Sequence, residues 1–133
     1  MKVKQLGRTL MYLSGVGVSV LLLLFVVTCT WIGYEIKSKC QDGQREYGGD
    51  CSEAMISLLK DENRGYRARN EAIWALGQLG DERALGVLES YYTGEIPERE
   101  PLDKVISQYE LKKAINLASG GVNLSAIVWR KGF

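Results

Sequence analysis

Few residue types in this chain could support catalysis. It has no histidine, so no imidazole serves as base, proton shuttle or metal ligand, and no Ser–His or Cys–His nucleophile pair exists. Cys29, Cys40 and Cys51 are the only thiols, too few ligands for a zinc site. Carboxylates gather at Asp61-Glu62, at Asp81-Glu82 and at Glu95, Glu98 and Glu100, where a pair in one cleft would perform acid–base chemistry. Their places at helix ends and in loops read instead as caps and solvated charge. No glycine-rich phosphate loop follows a strand. The sequence therefore assigns no catalytic residue, metal, cofactor or small-molecule substrate, and the chain reads as a non-enzyme.

The cysteines have a second possible chemistry. A Cys40–Cys51 disulfide would close a loop of about 12 residues and restrict the unfolded chain by roughly 3 kcal/mol. Two unrelated thiols is the competing reading. Cys29 follows Val26-Val27-Thr28, which faintly resembles a lipobox, although Thr28 stands where that motif has Gly, Ala or Ser. A small apolar residue inside a membrane helix is the simpler account of Cys29.

The elements carrying these residues are of two kinds. The chain of 133 residues is 46% hydrophobic and 25% charged, the composition of an ordinary soluble domain. That average conceals Thr9 to Tyr34, 26 residues without one charged side chain. A hydrocarbon core of ~30 Å needs about 20 helical residues, so residues 10–34 are assigned as a transmembrane helix behind a basic tail, residues 1–9. Tyr12 at one end and Trp31 and Tyr34 at the other suit the two interfaces, and Gly15 and Ser19 form a small-xxx-small pair. The apolar run exceeds a signal-peptide core and no A-x-A-like site follows it. Lys2, Lys4 and Arg8 precede the segment and Lys37, Lys39 and Arg45 follow it. The free amine and the compact first cluster tip this near-tie toward an N-terminus inside.

Residues 35–50, polar and glycine-bearing, read as a linker. Residues 51–133 then take the period of amphipathic helices. Ala54, Met55, Leu58 and Leu59 mark a first helix ending near Lys60. Ala68, Ala72, Ala75, Leu76 and Leu79 mark a second, from about Tyr66 to Leu79. Gly80 suits its C-terminal turn, and Asp81 the N-cap of a third helix that stops at Gly94. A fourth is expected from Pro101 to Ala118, and Leu124 to Trp129 is a fifth helix or a docking tail. Without Lys2, Lys4 and Arg8, 14 basic residues face 16 acidic ones. Arg64, Arg67 and Arg69 lack any wider basic field, and nucleic acid is not an expected partner.

The stretch from Arg69 to Leu88 resembles a bacterial HEAT-like repeat of the PBS-lyase type, whose core runs R-x-x-A-x-x-A-L-G-x-L-G-D-x-R-A-h-x-x-L. Arg69, Ala72, Ala75, Leu76, Gly77, Leu79, Gly80, Asp81, Arg83, Ala84 and Leu88 match it. Leu111 to Gly121 is similar to a degenerate further repeat but departs at the Gly-Asp turn. The resemblance implies an all-α chain, one transmembrane helix followed by a short α-solenoid. It also implies that an arginine at position 69 or 83 bridges to a neighbouring turn, with Asp81 the acceptor; ordinary solvated surface is the alternative for both.

A solenoid of the 99 residues after Tyr34 makes about two and a half hairpins, fewer than the three or so repeats that stand alone. A protein partner, the rest of a larger membrane complex, is therefore expected to cover one end or the concave face. Tyr66, Trp74, Tyr91, Tyr92 and Trp129 are the candidate anchors, with core packing as the competing role. The expected protein is an accessory or assembly subunit in a bacterial inner membrane, its C-terminal domain on the periplasmic side. Alternatives are an accessory factor of a bilin-lyase-type enzyme, suggested by the resemblance alone, and a lipid-anchored binding protein.

Overall fold

The structure, a computed structural model, describes residues 2–132. Met1 and Phe133, the outermost residues of the tail and of the domain, lie outside it. Among the described residues six α-helices follow one another: α1 (Lys2–Tyr47), α2 (Cys51–Lys60), α3 (Tyr66–Leu79), α4 (Leu85–Tyr91), α5 (Gln108–Ala118) and α6 (Leu124–Trp129). Short 3₁₀ turns span Glu82–Ala84, ahead of α4, and Arg130–Gly132, after α6. Among the described residues the fold is all-α, a long apolar N-terminal helix followed by a short α-solenoid of helical hairpins.

The first departure from the sequence reading is the linker. Residues 35–47 are not a loop but continue α1 without a break. Their polar composition hides the continuation of a stripe of buried residues that begins before them, Cys29, Gly33, Ile36, Cys40 and Gly43, spaced alternately four and three apart. This is the spacing that keeps one side of a helix against a neighbour. Water-facing Lys37, Gln41 and Asp42 supply the polarity that masked it. The helix ends instead at Gly48 and Gly49, both with positive φ, a conformation that favours glycine. Gly43 belongs to the contact, since a β-carbon there would lie 3.4 Å from Ala54 Cβ and closer still to Met55.

Consequently α1 has two halves. Leu10 to Val27 expose nearly every large apolar side chain, enough to cross a bilayer by length and composition. The second half covers one face of the first helical hairpin, α2–α3, through Ile36 and Cys40. The surface that a short solenoid was expected to leave for a partner is thus partly covered by the chain itself. Cys40 and Cys51 are joined in a disulfide with their Cα atoms 4.9 Å apart, fastening α1 to the start of α2. At the other end of α2, Tyr47 Oη donates to Asp61 at 2.7 Å. That bond, with some desolvation and the carboxylate charge, pushes the Tyr47 phenol up to about 12 and holds Asp61 below the usual carboxylate range.

The solenoid core is small and dense. Met55, Leu59, Ile73, Leu76, Leu88 and Leu111 are fully buried, each worth ~1.5–3 kcal/mol relative to exposure. At the α3–α5 contact a β-carbon on Gly77 would come 2.9 Å from Ala114 Cα, so this position requires a residue without one. The fourth helix also starts later than its apolar spacing suggests. Residues 101–107 form a turn, with Lys104 N–H donating to the Pro101 carbonyl, and Ser107 caps α5. The cause is Asn70. Its Nδ2 donates to the Leu102 and Val105 carbonyls and its Oδ1 accepts from Ser107 N–H, at 2.8–2.9 Å. Those backbone groups bond to α3 instead of extending α5.

Candidate functional site

The residues that define the repeat hold it together at two places. Asp50 caps α2 by accepting from Glu53 N–H at 2.9 Å, while Glu53 accepts from Asp50 N–H. Asp81 caps the 3₁₀ turn before α4 by accepting from Arg83 N–H at 3.0 Å. Arg83 joins both caps, with Nη1 at 2.8 Å from Asp50 and Nη2 at 2.6 Å from Asp81. Hydrogen bonds from the Arg83 side chain hold Asp81 well below the usual carboxylate range, against an opposing desolvation penalty. Asp50 is lowered first by the Glu53 backbone N–H and then by Arg83. The guanidinium is correspondingly pushed up.

Arg69 acts elsewhere. It is buried, donates from Nε to the Leu59 carbonyl at 2.8 Å, and lies between the Tyr66 and Tyr91 rings at 5.8 and 5.7 Å. It therefore does not reach Asp81. It caps the end of α2 and stacks on aromatic faces, where a planar guanidinium is suited to both tasks.

A separate feature is a groove of ≈ 640 Å³ between the middle of α1, α3 and the turn after Pro101. Its apolar part is Trp31, Ile32, Trp74 and Leu102, and its rim carries Glu35, Lys39, Arg67, Glu71, Asp103 and Glu110. Lys39 pairs with Glu71 at 2.8 Å and with Glu35 at 3.7 Å, and Arg67 stands 3.9 Å from Glu71. Four carboxylates face two cations, and Glu110 also pairs with Lys113 at 3.3 Å, which leaves the rim a small acidic excess. Thr28 lines the end of the groove, where α1 passes from its apolar to its polar half. Residues with this chemistry can seat an apolar side chain beside a cation.

Residues 68–92 match the family model of the PBS lyase HEAT-like repeat. No curated protein and no solved structure matches the chain. The matched stretch runs from within α3 through α4 and includes Ala72, Leu76, Gly80, Asp81 and Arg83. In the HEAT-like repeat of this chain, Ala72 and Leu76 lie in the core. Gly80 takes a left-handed φ of 62° where α3 ends. Such repeats are protein-interaction and helical scaffold units.

The five aromatic residues read as anchors do not form one surface. Trp74 alone among them lines the groove. Tyr66 and Tyr91 flank Arg69, and Tyr92 packs against the core. Trp129, read as a candidate anchor with core packing as the competing role, takes the core-packing role. It is buried against α1, and a β-carbon on Gly33 would lie 2.5 Å from Trp129 Cβ. It fastens α6 to the long helix, while Arg130 Nε donates to the Gln78 carbonyl at 3.2 Å and Asn123 Nδ2 to Gln78 Oε1 at 2.8 Å.

Sequence reasoning did not single out Lys39, Glu71, Leu102 and Asp103 as groove residues, or Asn70 as the residue that places Leu102. The detectable signal was the four–three stripe of α1, which turns a supposed linker into a wall of the groove.

Proposed function

We propose that this chain is a non-enzymatic, single-pass membrane protein whose HEAT-like module seats a protein partner in the α1–α3 groove. It acts as an accessory or assembly subunit of a membrane complex. The observation that carries this reading is the composition of the groove. Trp31 and Ile32, at the edge of the bilayer-length apolar segment, share it with Trp74 on the matched repeat helix and with Leu102. A partner reaching all four is itself embedded in the membrane. It presents an apolar side chain and a basic residue where it leaves the bilayer, complementing the acidic rim.

The module faces an oxidising compartment, consistent with the Cys40–Cys51 disulfide. In a bacterial cell this is the extracytoplasmic side of the cytoplasmic membrane, with Lys2, Lys4 and Arg8 inside. Intact mass of the membrane-extracted protein checks the anchor, because retention of residues 1–28 excludes both a cleaved leader and lipidation of Cys29.

The binding reading is tested by purification from gently solubilised membranes. A stoichiometric partner is expected with the native chain. Combined Trp31→Ser and Leu102→Ser, both at exposed side chains, should weaken its retention about tenfold, equivalent to ~1.4 kcal/mol, with helical content unchanged. A monodisperse, partner-free native monomer, or equal retention by the double variant, would overturn the proposal.

A further inference from the structure

The geometry points to a second membrane contact: we propose that α6 is an interfacial helix whose outer face lies on the lipid surface from which α1 emerges. This inference rests on the reading of α1 as a membrane span. Trp129 packs on Gly33, six residues beyond Val27, or roughly 9 Å along the helix at about 1.5 Å per residue. Taking Leu10 to Val27 as the hydrocarbon-spanning stretch, α6 is held at headgroup level.

At that level α6 is apolar on both sides. Ala126 and Trp129 face inward and are buried. Leu124 and Ile127, three residues apart, are 62% and 63% exposed, and Val122 just before the helix is 83% exposed. A helix serving only to cap the solenoid would turn polar residues outward. Here the outward face borders the side of α1 that carries exposed Leu22 and Val26, eleven and seven residues before Gly33 and so on the same side of the helix, and exposed Lys131 follows it, an arrangement suited to anionic headgroups. Arg130 is already engaged with Gln78 and lies over the Trp129 ring, so it sets the tilt of α6 rather than reaching for lipid. None of the α6 side chains lines the α1–α3 groove, so a partner seated there leaves this face available to lipid.

The occupant is a phospholipid surface, and the test uses the full chain in vesicles of phosphatidylcholine and phosphatidylglycerol. A diazirine-bearing leucine analogue is placed at Leu22, Ile127 or Glu62 in turn and photolysed, and adducts are read by mass spectrometry. Leu22 reports the span. Glu62 neighbours Asp61, which bonds Tyr47, 20 residues and about 30 Å along α1 from Val27, and serves as the distant control. Lipid adducts at Ile127 are expected at a yield comparable to Leu22 and roughly tenfold above Glu62. Lipid adducts at Leu22 with only water-quenched product at Ile127 overturn the α6 contact while leaving the span intact. Their absence at Leu22 as well overturns the span and this inference with it. In native membranes, protein adducts replacing lipid adducts at Ile127 also overturn it, in favour of a protein-covered face.

Discussion

Gly33→Ala separates close packing from helix propensity because the two predict opposite signs. Replacing a helix-interior glycine by alanine stabilises by up to ~1 kcal/mol when nothing else changes. At position 33 the new β-carbon would stand 2.5 Å from Trp129 Cβ and 3.0 Å from its Cγ. Ordinary contact begins near 3.4 Å, so α6 must withdraw by about 1 Å from a helix that cannot yield. Its polar ties at Gln78 resist that movement. Overpacking of this kind costs ~1–3 kcal/mol. Net destabilisation of up to ~2 kcal/mol is therefore expected at the α6 contact. Gly86 is the matched control, since it lies in α4 with nothing within 4 Å of an added β-carbon. The assay is hydrogen exchange of residues 122–132 in detergent micelles, together with thermal unfolding. Gly33→Ala should speed exchange in that segment and Gly86→Ala should not. Slower exchange and a raised Tm for Gly33→Ala would refute the packing argument.

Acid should loosen the Arg83 clamp. Asp50, Asp61 and Asp81 are lowered in the folded state, so they bind fewer protons folded than unfolded. Their contribution is complete above the ordinary carboxylate range and is lost as pH falls below about 4 through the depressed values. Unfolding midpoints measured from pH 5 to pH 2 should fall, and the Asp81→Asn variant should show a shallower decline; an equally steep one contradicts the assignment. Asn70→Ala deprives three backbone groups of their partner and should cost ~2–3 kcal/mol, with faster proteolysis in residues 101–107; an unchanged urea midpoint contradicts this. Reduction of Cys40–Cys51 should lower stability by roughly 3 kcal/mol. Complete alkylation of both thiols without reductant would show that the bond is absent.

The sequence made some elements easy to read and concealed others. Gly80-Asp81 marked the α3–α4 boundary because a left-handed turn followed by a carboxylate cap is a local arrangement, needing no distant partner. The apolar half of α1 was equally visible, since its signal is composition. The continuation through residues 35–47 was concealed because a helix lying on a domain is mostly polar, and its buried stripe uses glycine and cysteine as well as one isoleucine. The start of α5 was displaced by a residue 37 positions earlier, Asn70 bonding Ser107, which no local periodicity reveals. Trp129 looked like an anchor for a partner because its seat is a glycine almost one hundred residues away in the chain. Arg69 and Arg83 share a repeat signature, yet burial sends one to a carbonyl and two rings and the other to two caps.

Under the proposed function, the groove between α1 and α3 receives a membrane protein. The most direct test places a photo-crosslinking side chain at Arg67, exposed on the rim, and irradiates intact membranes, with Glu62 as the off-groove position. A single protein adduct of defined mass from Arg67, absent from Glu62 and lost when Trp31→Ser is added, is the predicted result. Adducts to the same protein from both positions, or none but lipid and water from Arg67, would contradict it.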